Sequence, residues 1–132
     1  MEPILVTCAV IEKEFKSERC FLVCQRSESM RLPLKWEFPG GKIEAAESAE
    51  LCLKREIKEE LALDIEVGKA LTAVKHIYPA GQVILMPYFA HITGGNIKLL
   101  EHKTYNWQPK HLLSNLDWAE ADIPIVRQLL IL

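Results

Sequence analysis

The chain lacks any apolar run approaching the ~20 residues needed to cross a bilayer as a helix. Its longest uncharged apolar stretches are only Ile4–Ile11 and Val83–Ala90. The opening Met1-Glu2-Pro3 lacks the basic start of a secretory leader. Together these absences predict a cytoplasmic protein that meets no membrane. No Cys-x-x-Cys pair occurs among the four cysteines, Cys8, Cys20, Cys24 and Cys52, and no paired histidines follow at zinc-finger spacing. Reduced, mostly buried thiols are expected instead. An excess of one charge is missing too: 16 Lys+Arg face 18 Asp+Glu, a formal net of −2. No basic stripe marks a nucleic-acid polymer as partner. A small polyanion would need a local device, such as metal ions, to be held. Glycine and proline number only 6 and 7, and 49% of residues are hydrophobic, which excludes collagen-like and disordered chains.

What remains is ordinary globular composition over 132 residues, enough for one domain with its own core, residues 1–132. Ile4–Ile11 reads as a strand, Glu12–Glu18 as a hairpin connection and Arg19–Gln25 as a second strand. Ser27–Lys35 is polar and irregular, and Trp36–Phe38 leads into the strong turn signal Pro39-Gly40-Gly41. Glu47–Leu61 has no Gly or Pro, and Leu53, Ile57 and Leu61 recur on one helical stripe. Ile65–His76 and Gln82–Ile92 read as strands, with Pro87 predicting an edge or bulge in the latter. Thr93-Gly94-Gly95-Asn96 reads as a tight turn, Lys98–Trp107 as containing another strand, and Asp122–Leu130 as a closing helix with Pro124 in its first turn. The order β-β-α-β-β-β-α predicts an α/β fold with a mixed sheet between helices.

The densest polar cluster is Arg55-Glu56-Ile57-Lys58-Glu59-Glu60. On a helix, Glu56, Glu59 and Glu60 fall within roughly 100° of arc. Carboxylates that close repel one another and stay ionised together most easily beside divalent cations. Hard ions such as Mg²⁺ prefer such oxygen ligands, usually together with substrate phosphates. The bland alternative is a solvated helix face with Arg55–Glu59 as an i,i+4 pair. The context favours the metal: Trp36-Glu37-Phe38-Pro39-Gly40-Gly41-Lys42-Ile43-Glu44 lies just upstream, a turn able to bring backbone close to a ligand or ion.

The spacing from Gly41 through Glu47, Arg55-Glu56 and Glu59-Glu60 to Leu63 resembles the Nudix box, G-x5-E-x7-R-E-U-x-E-E-x-G-U with U aliphatic. Every fixed position of residues 41–63 matches except Ala62, which stands where that family has glycine and could alter the helix exit. WEFPGGKIE resembles the MutT-like branch, which hydrolyses nucleoside triphosphates. Trp118–Pro124 resembles members with CTP pyrophosphohydrolase activity. The resemblance implies the Nudix α/β/α sandwich and a Mg²⁺-dependent pyrophosphohydrolase, with Mn²⁺ as a substitute. Water would attack the β-phosphorus of a (d)NTP to give the monophosphate and pyrophosphate.

The resemblance also implies roles. Gly40 (through its carbonyl), Glu56, Glu59, Glu60 and Glu101 are the expected metal ligands, with the general base among the glutamates. Arg55 is expected to orient a glutamate and Glu47 to shape the site or support a metal through water. Arg26, Glu37, Phe38, Lys42, Tyr78 and Asp122 are the substrate-binding candidates. Arg26 and Lys42 would meet phosphate, and Phe38 and Tyr78 would flank the base unless they belong to the core. Asp122 would read the base, because an ionised carboxylate accepts from an exocyclic amino group such as cytosine N4. It could instead cap the last helix. His76, His91, His102 and His111 show no spacing pattern and are expected to be structural. CTP- or dCTP-like nucleotides are the expected substrates. An 8-oxo-dGTP diphosphatase and, from another class, a nucleotide-sensing domain without turnover are the alternatives. A monomer is expected, with a dimer as the alternative.

Overall fold

The computed structural model describes residues 2–132. Its strands are Ile4–Phe15 (β1), Glu18–Gln25 (β2), Trp36–Glu37 (β3), Gly40–Lys42 (β4), Asp64–Ala70 (β5), Val74–Tyr78 (β6), Gly81–Gly94 (β7) and Thr104–Pro109 (β8). The helices are Ala49–Leu61 (α1) and Ile123–Leu130 (α2), with 3₁₀ turns at Lys110–Asn115 and Glu120–Asp122. The sheet path runs β3-β2-β1-β7-β5, with β4 against β1, β6 against β7 and β8 against β2. β1 and β7 are parallel while the other pairs are antiparallel, so the sheet is mixed, as expected.

Alternation along β1 assigns the layers. Cys8 and Val10 join one core with Phe21, Val23 and the α2 residues Ile125, Val126 and Leu129. Ala9 and Ile11 join the opposite core with Leu22, Cys24 and the α1 stripe Leu53, Ile57 and Leu61. The helices therefore cover opposite faces, an α/β/α sandwich. Burying each aliphatic side chain of the stripe contributes roughly 1.5–3 kcal/mol. All four cysteines are free and buried, and no helix among the described residues is long and apolar enough to cross a membrane.

Several boundaries differ from the sequence reading. β1 runs on to Phe15 because a two-residue turn suffices: Lys16 and Ser17 both adopt left-handed backbone, φ 49° and 66°. α1 starts at Ala49, since the Ser48 side chain accepts the Leu51 N–H and caps it, leaving Glu47 outside. Pro87 lies in a central strand rather than at an edge, beside the register shift between β5 and β7 where Val67 pairs with Ala90 and Ala70 with Tyr88. Its carbonyl accepts from the Leu71 N–H at 2.9 Å. Its missing N–H thus faces the break between β5 and β6, where no ladder bond is lost. The tight turn expected at Thr93–Asn96 is instead the end of β7 and the start of an irregular loop over 95–103, opened by Gly95 at φ 86°. The strand expected within Lys98–Trp107 begins only at Thr104.

Candidate active site

The site begins where β1 changes partner. Val6–Cys8 pair with β4 and Glu12–Phe15 pair with β2, and Pro39 bridges the fork by accepting the Ala9 N–H at 2.8 Å. Two glycines follow from the crowding there. A Cβ on Gly40 would lie 2.0 Å from the Thr7 carbonyl oxygen, and one on Gly41 would lie 2.2 Å from the Glu56 carboxyl carbon. The first glycine lets β4 reach β1. The second lets the Glu56 carboxylate rest against the turn. Thr7, fully buried, donates from Oγ1 to the Gly41 carbonyl at 3.2 Å and holds that turn.

Arg55 organises the outer side of α1. Its Nε and Nη2 reach Glu47 at 2.6 and 2.8 Å, and its Nη1 reaches Glu56 at 2.9 Å and Glu59 at 3.2 Å. Nη2 also donates to the Lys42 carbonyl at 3.3 Å. The two Arg55 bonds to Glu47, with one donated by the Glu44 backbone N–H, pull the Glu47 carboxyl down to about 2. Glu47 is therefore a latch for Arg55, and Glu59 stands out in solvent.

Glu60 has the opposite surroundings. It is 5% exposed, and its Oε1 has no hydrogen-bond partner. Burial first, then a contact with Glu56 and the charges of Glu37 and Glu101, push its carboxyl up to about 10. A divalent cation would relieve that repulsion, so the donor set fits one: Glu56, Glu60 and Glu101 supply carboxylate oxygens beside the Gly40-Gly41 backbone. Among the described residues no three His, Cys, Asp or Glu side chains already stand as a ready-made ligand set. Arg55 holds Glu56 and Glu59 meanwhile.

One cleft of about 360 Å³ gathers Arg26, Glu37, Phe38, Gly40, Lys42, Glu56, Glu60, Glu101 and Asp122. Tyr78 lines an adjoining hollow of about 270 Å³ that shares Arg26, Glu37 and Asp122 with it. A larger hollow, about 600 Å³, lies elsewhere beside Lys13, His91 and Trp107 and carries no cluster of carboxylates. Arg26 does not stand free for phosphate: its Nη1 pairs with Glu37 at 2.6 Å and its Nε donates to the Arg31 carbonyl. The Phe38 ring is buried against Trp118, centroids 4.9 Å apart, so its place is in the core.

Asp122 makes no helix-capping bond. Its Oδ2 accepts the Phe38 N–H at 2.9 Å, 84 positions away. Burial, and then the Glu37 charge, push this carboxyl well up, against the Phe38 N–H and Arg26. Of the histidines, His76, His91 and His111 face Glu120, Glu66 and Glu18 and do not line the cleft. His102 does line it. Its side chain is 1% exposed, with Nε2 at 2.8 Å from Glu37 and Nδ1 at 3.8 Å from Glu60. The only sequence signal for it is its place directly after Glu101.

Comparison with known proteins gives the chain's family and its relatives. The family model described as NUDIX domain matches residues 2–129. The CTP pyrophosphohydrolase of Escherichia coli K12 is 29% identical over 126 residues, covering 96% of this chain and 90% of that protein. The 8-oxo-dGTP diphosphatase of Proteus vulgaris is 35% identical over 81 residues, 61% of this chain and 70% of its own length. The solution structure of the DNA mismatch repair protein MutT (family Nudix hydrolase) of methicillin-resistant Staphylococcus aureus 252 superposes with a TM-score of 0.75. It is 40% identical, covering 98% of this chain and 97% of that one.

Proposed function

Since the chain belongs to the Nudix family of hydrolases, we propose that it converts (d)NTP and water to (d)NMP and pyrophosphate, with Mg²⁺ or, as a substitute, Mn²⁺. One observation carries this reading: a single cleft joins the carboxylates Glu56, Glu60 and Glu101 to a second end built from Arg26, Glu37 and Asp122. A nucleotide has the same two ends, polyphosphate and base.

The cation would be held by Glu56, Glu60, Glu101 and the Gly40 carbonyl, with Glu59 as a further ligand. When bound it would polarise phosphoryl oxygens and neutralise the charge on the leaving pyrophosphate. Arg55 keeps Glu56 aimed into the cleft through a charge-assisted bond. Lys42, exposed at the cleft mouth, would meet a terminal phosphate. A glutamate of the cluster takes the proton from the attacking water, and close carboxylates share that titration. Tyr78 is the half-buried aromatic at the base end and Asp122 the polar group there.

For the base, cytosine is the leading choice. Asp122 has one oxygen on the Phe38 N–H and offers its remaining acceptor capacity to an exocyclic amino group. The relative named CTP pyrophosphohydrolase supports this. A second reading, 8-oxo-dGTP, is favoured by the raised Asp122 carboxyl, which in its neutral form gains an O–H donor for a purine acceptor such as guanine O6. A panel of (d)NTPs and 8-oxo-dGTP with Mg²⁺, scored for monophosphate and pyrophosphate with EDTA as control, tests both. Reaction in ¹⁸O-water should place the label in pyrophosphate. Inorganic phosphate as the primary product would sink the pyrophosphohydrolase reading.

A further inference from the structure

We propose that His102 is a positioning residue, which fixes the Glu60 carboxylate for the divalent cation by bracing it against Glu37. This rests on the reading of Glu60 as a metal ligand. Three observations support it. The imidazole is 1% exposed, too deep to act on substrate, yet both its nitrogens point at carboxylates. Nε2 lies 2.8 Å from Glu37 Oε2, whose other oxygen takes Arg26 Nη1 at 2.6 Å. Nδ1 lies 3.8 Å from Glu60 Oε1, beyond hydrogen-bond distance, and neither of these buried atoms has a hydrogen-bond partner.

A ring that merely filled the core would be cheaper as an aliphatic side chain, because buried polar atoms without partners are unfavourable. The backbone around it is pinned as well. The Leu100 N–H donates to the Glu60 carbonyl at 3.1 Å, and the Lys103 N–H donates to the Gln25 carbonyl at 2.9 Å. His102 thus sits between two fixed points, in a line Arg26–Glu37–His102–Glu60 that runs along the cleft wall from its base end to its phosphate end. Partners that orient a metal ligand typically matter 10–100-fold in metal affinity or activity.

Two amide variants separate the two faces of the ring. His102→Gln places a polar group near Nε2 and keeps Glu37, whereas His102→Asn places one near Nδ1 and keeps Glu60. Mn²⁺ binding, titrated calorimetrically without nucleotide, should weaken about tenfold or more in His102→Gln and markedly less in His102→Asn. With Mg²⁺ and nucleotide, kcat should follow the same order while KM stays within about threefold. Wild-type Mn²⁺ affinity in His102→Gln would overturn the proposal. So would equal losses in both variants that merely follow a lowered Tm. If the ring variants do not fold, Glu37→Met removes only the Glu37 end of the brace, as His102→Asn does, so Mn²⁺ affinity there should fall measurably but by less than about tenfold, and unchanged affinity overturns the proposal equally. The Mn²⁺ measurement needs no turnover, so a wild-type protein inert toward every nucleotide would refute the proposed activity while His102 is still decided.

Discussion

The backbone N–H of Leu100 donates to the carbonyl of Glu60 at 3.1 Å, so the residue that presents the buried carboxylate also holds down the loop carrying Glu101 and His102. The Lys98 N–H does the same to the Leu61 carbonyl at 2.9 Å. The last carbonyls of a helix need such partners. Here the loop over 95–103 supplies them, and the end of α1 becomes the floor on which the two halves of the site meet.

That arrangement depends on how α1 ends. Ala62 adopts the left-handed conformation, φ 58°, and donates its N–H to the Lys58 carbonyl, so the helix exit has a glycine-type geometry without glycine. A left-handed Ala costs about 1–2 kcal/mol, partly offset by the lower chain entropy lost compared with Gly. Ala62→Gly should therefore stabilise by about 0.5–1 kcal/mol and raise Tm by a few degrees, with kcat unchanged. Calorimetric melting checks this, and a lower Tm would show that the exit is not strained.

Glu60→Gln should abolish most turnover while leaving the fold intact, because a buried carboxylate whose Oε1 accepts no hydrogen bond is what a cation would neutralise. The loss should be at least ~10³-fold in kcat, and Glu56→Gln should behave similarly. Its metal-free melting temperature should not fall below that of wild type, since an amide removes a carboxylate that burial already disfavours. More than a tenth of wild-type rate at saturating Mg²⁺ would remove Glu60 from the ligand set.

Arg55 and Glu47 lie apart from the chemistry, and their effect should be indirect. Arg55→Lys keeps a charge but cannot reach Glu47, Glu56 and Glu59 with one planar group. Metal affinity and kcat should drop about 10–100-fold, the range for groups that orient ligands. Glu47→Gln should cost less, because Arg55 retains Glu56 and Glu59. Steady-state kinetics across a Mg²⁺ titration would show the order, and a reversed order would mean that Glu47 itself acts on the metal.

Asp122 should make base preference depend on pH. Glu37 and Arg26 face it with charge, and Tyr78 and Cys8 lie within reach of its field. Its folded carboxyl is raised, so the folded state holds the proton more tightly than the unfolded chain. That contribution to stability is whole below the ordinary carboxyl range near ~4 and is lost as pH rises toward the raised value. Asp122→Asn cannot ionise, so its Tm relative to wild type should improve steadily from pH 5 to 8. The wild-type kcat/KM ratio of dCTP to 8-oxo-dGTP should climb over the same span. In Asp122→Asn it should be flat and shifted roughly tenfold toward 8-oxo-dGTP. A flat wild-type profile would show that Asp122 serves the Phe38 backbone alone.

The sequence by itself determined the parts whose physics is local. The α1 stripe, the arc of Glu56, Glu59 and Glu60 and the reach from Arg55 to Glu59 all follow from helical spacing. The element order β-β-α-β-β-β-α, read from apolar runs and turn signals, implied a mixed sheet between helices, but not the short strands β3 and β4 or the order in which the strands pair. What it could not show depends on segments far apart in the chain: Gly41 against Glu56 across the turn, Asp122 on the Phe38 N–H, Pro87 facing a break in its neighbours, and His102 between Glu37 and Glu60. Only tertiary structure decided these, because a lone histidine or a proline in an apolar run carries no periodicity. Their roles come from which backbone and which charges the sheet brings beside them.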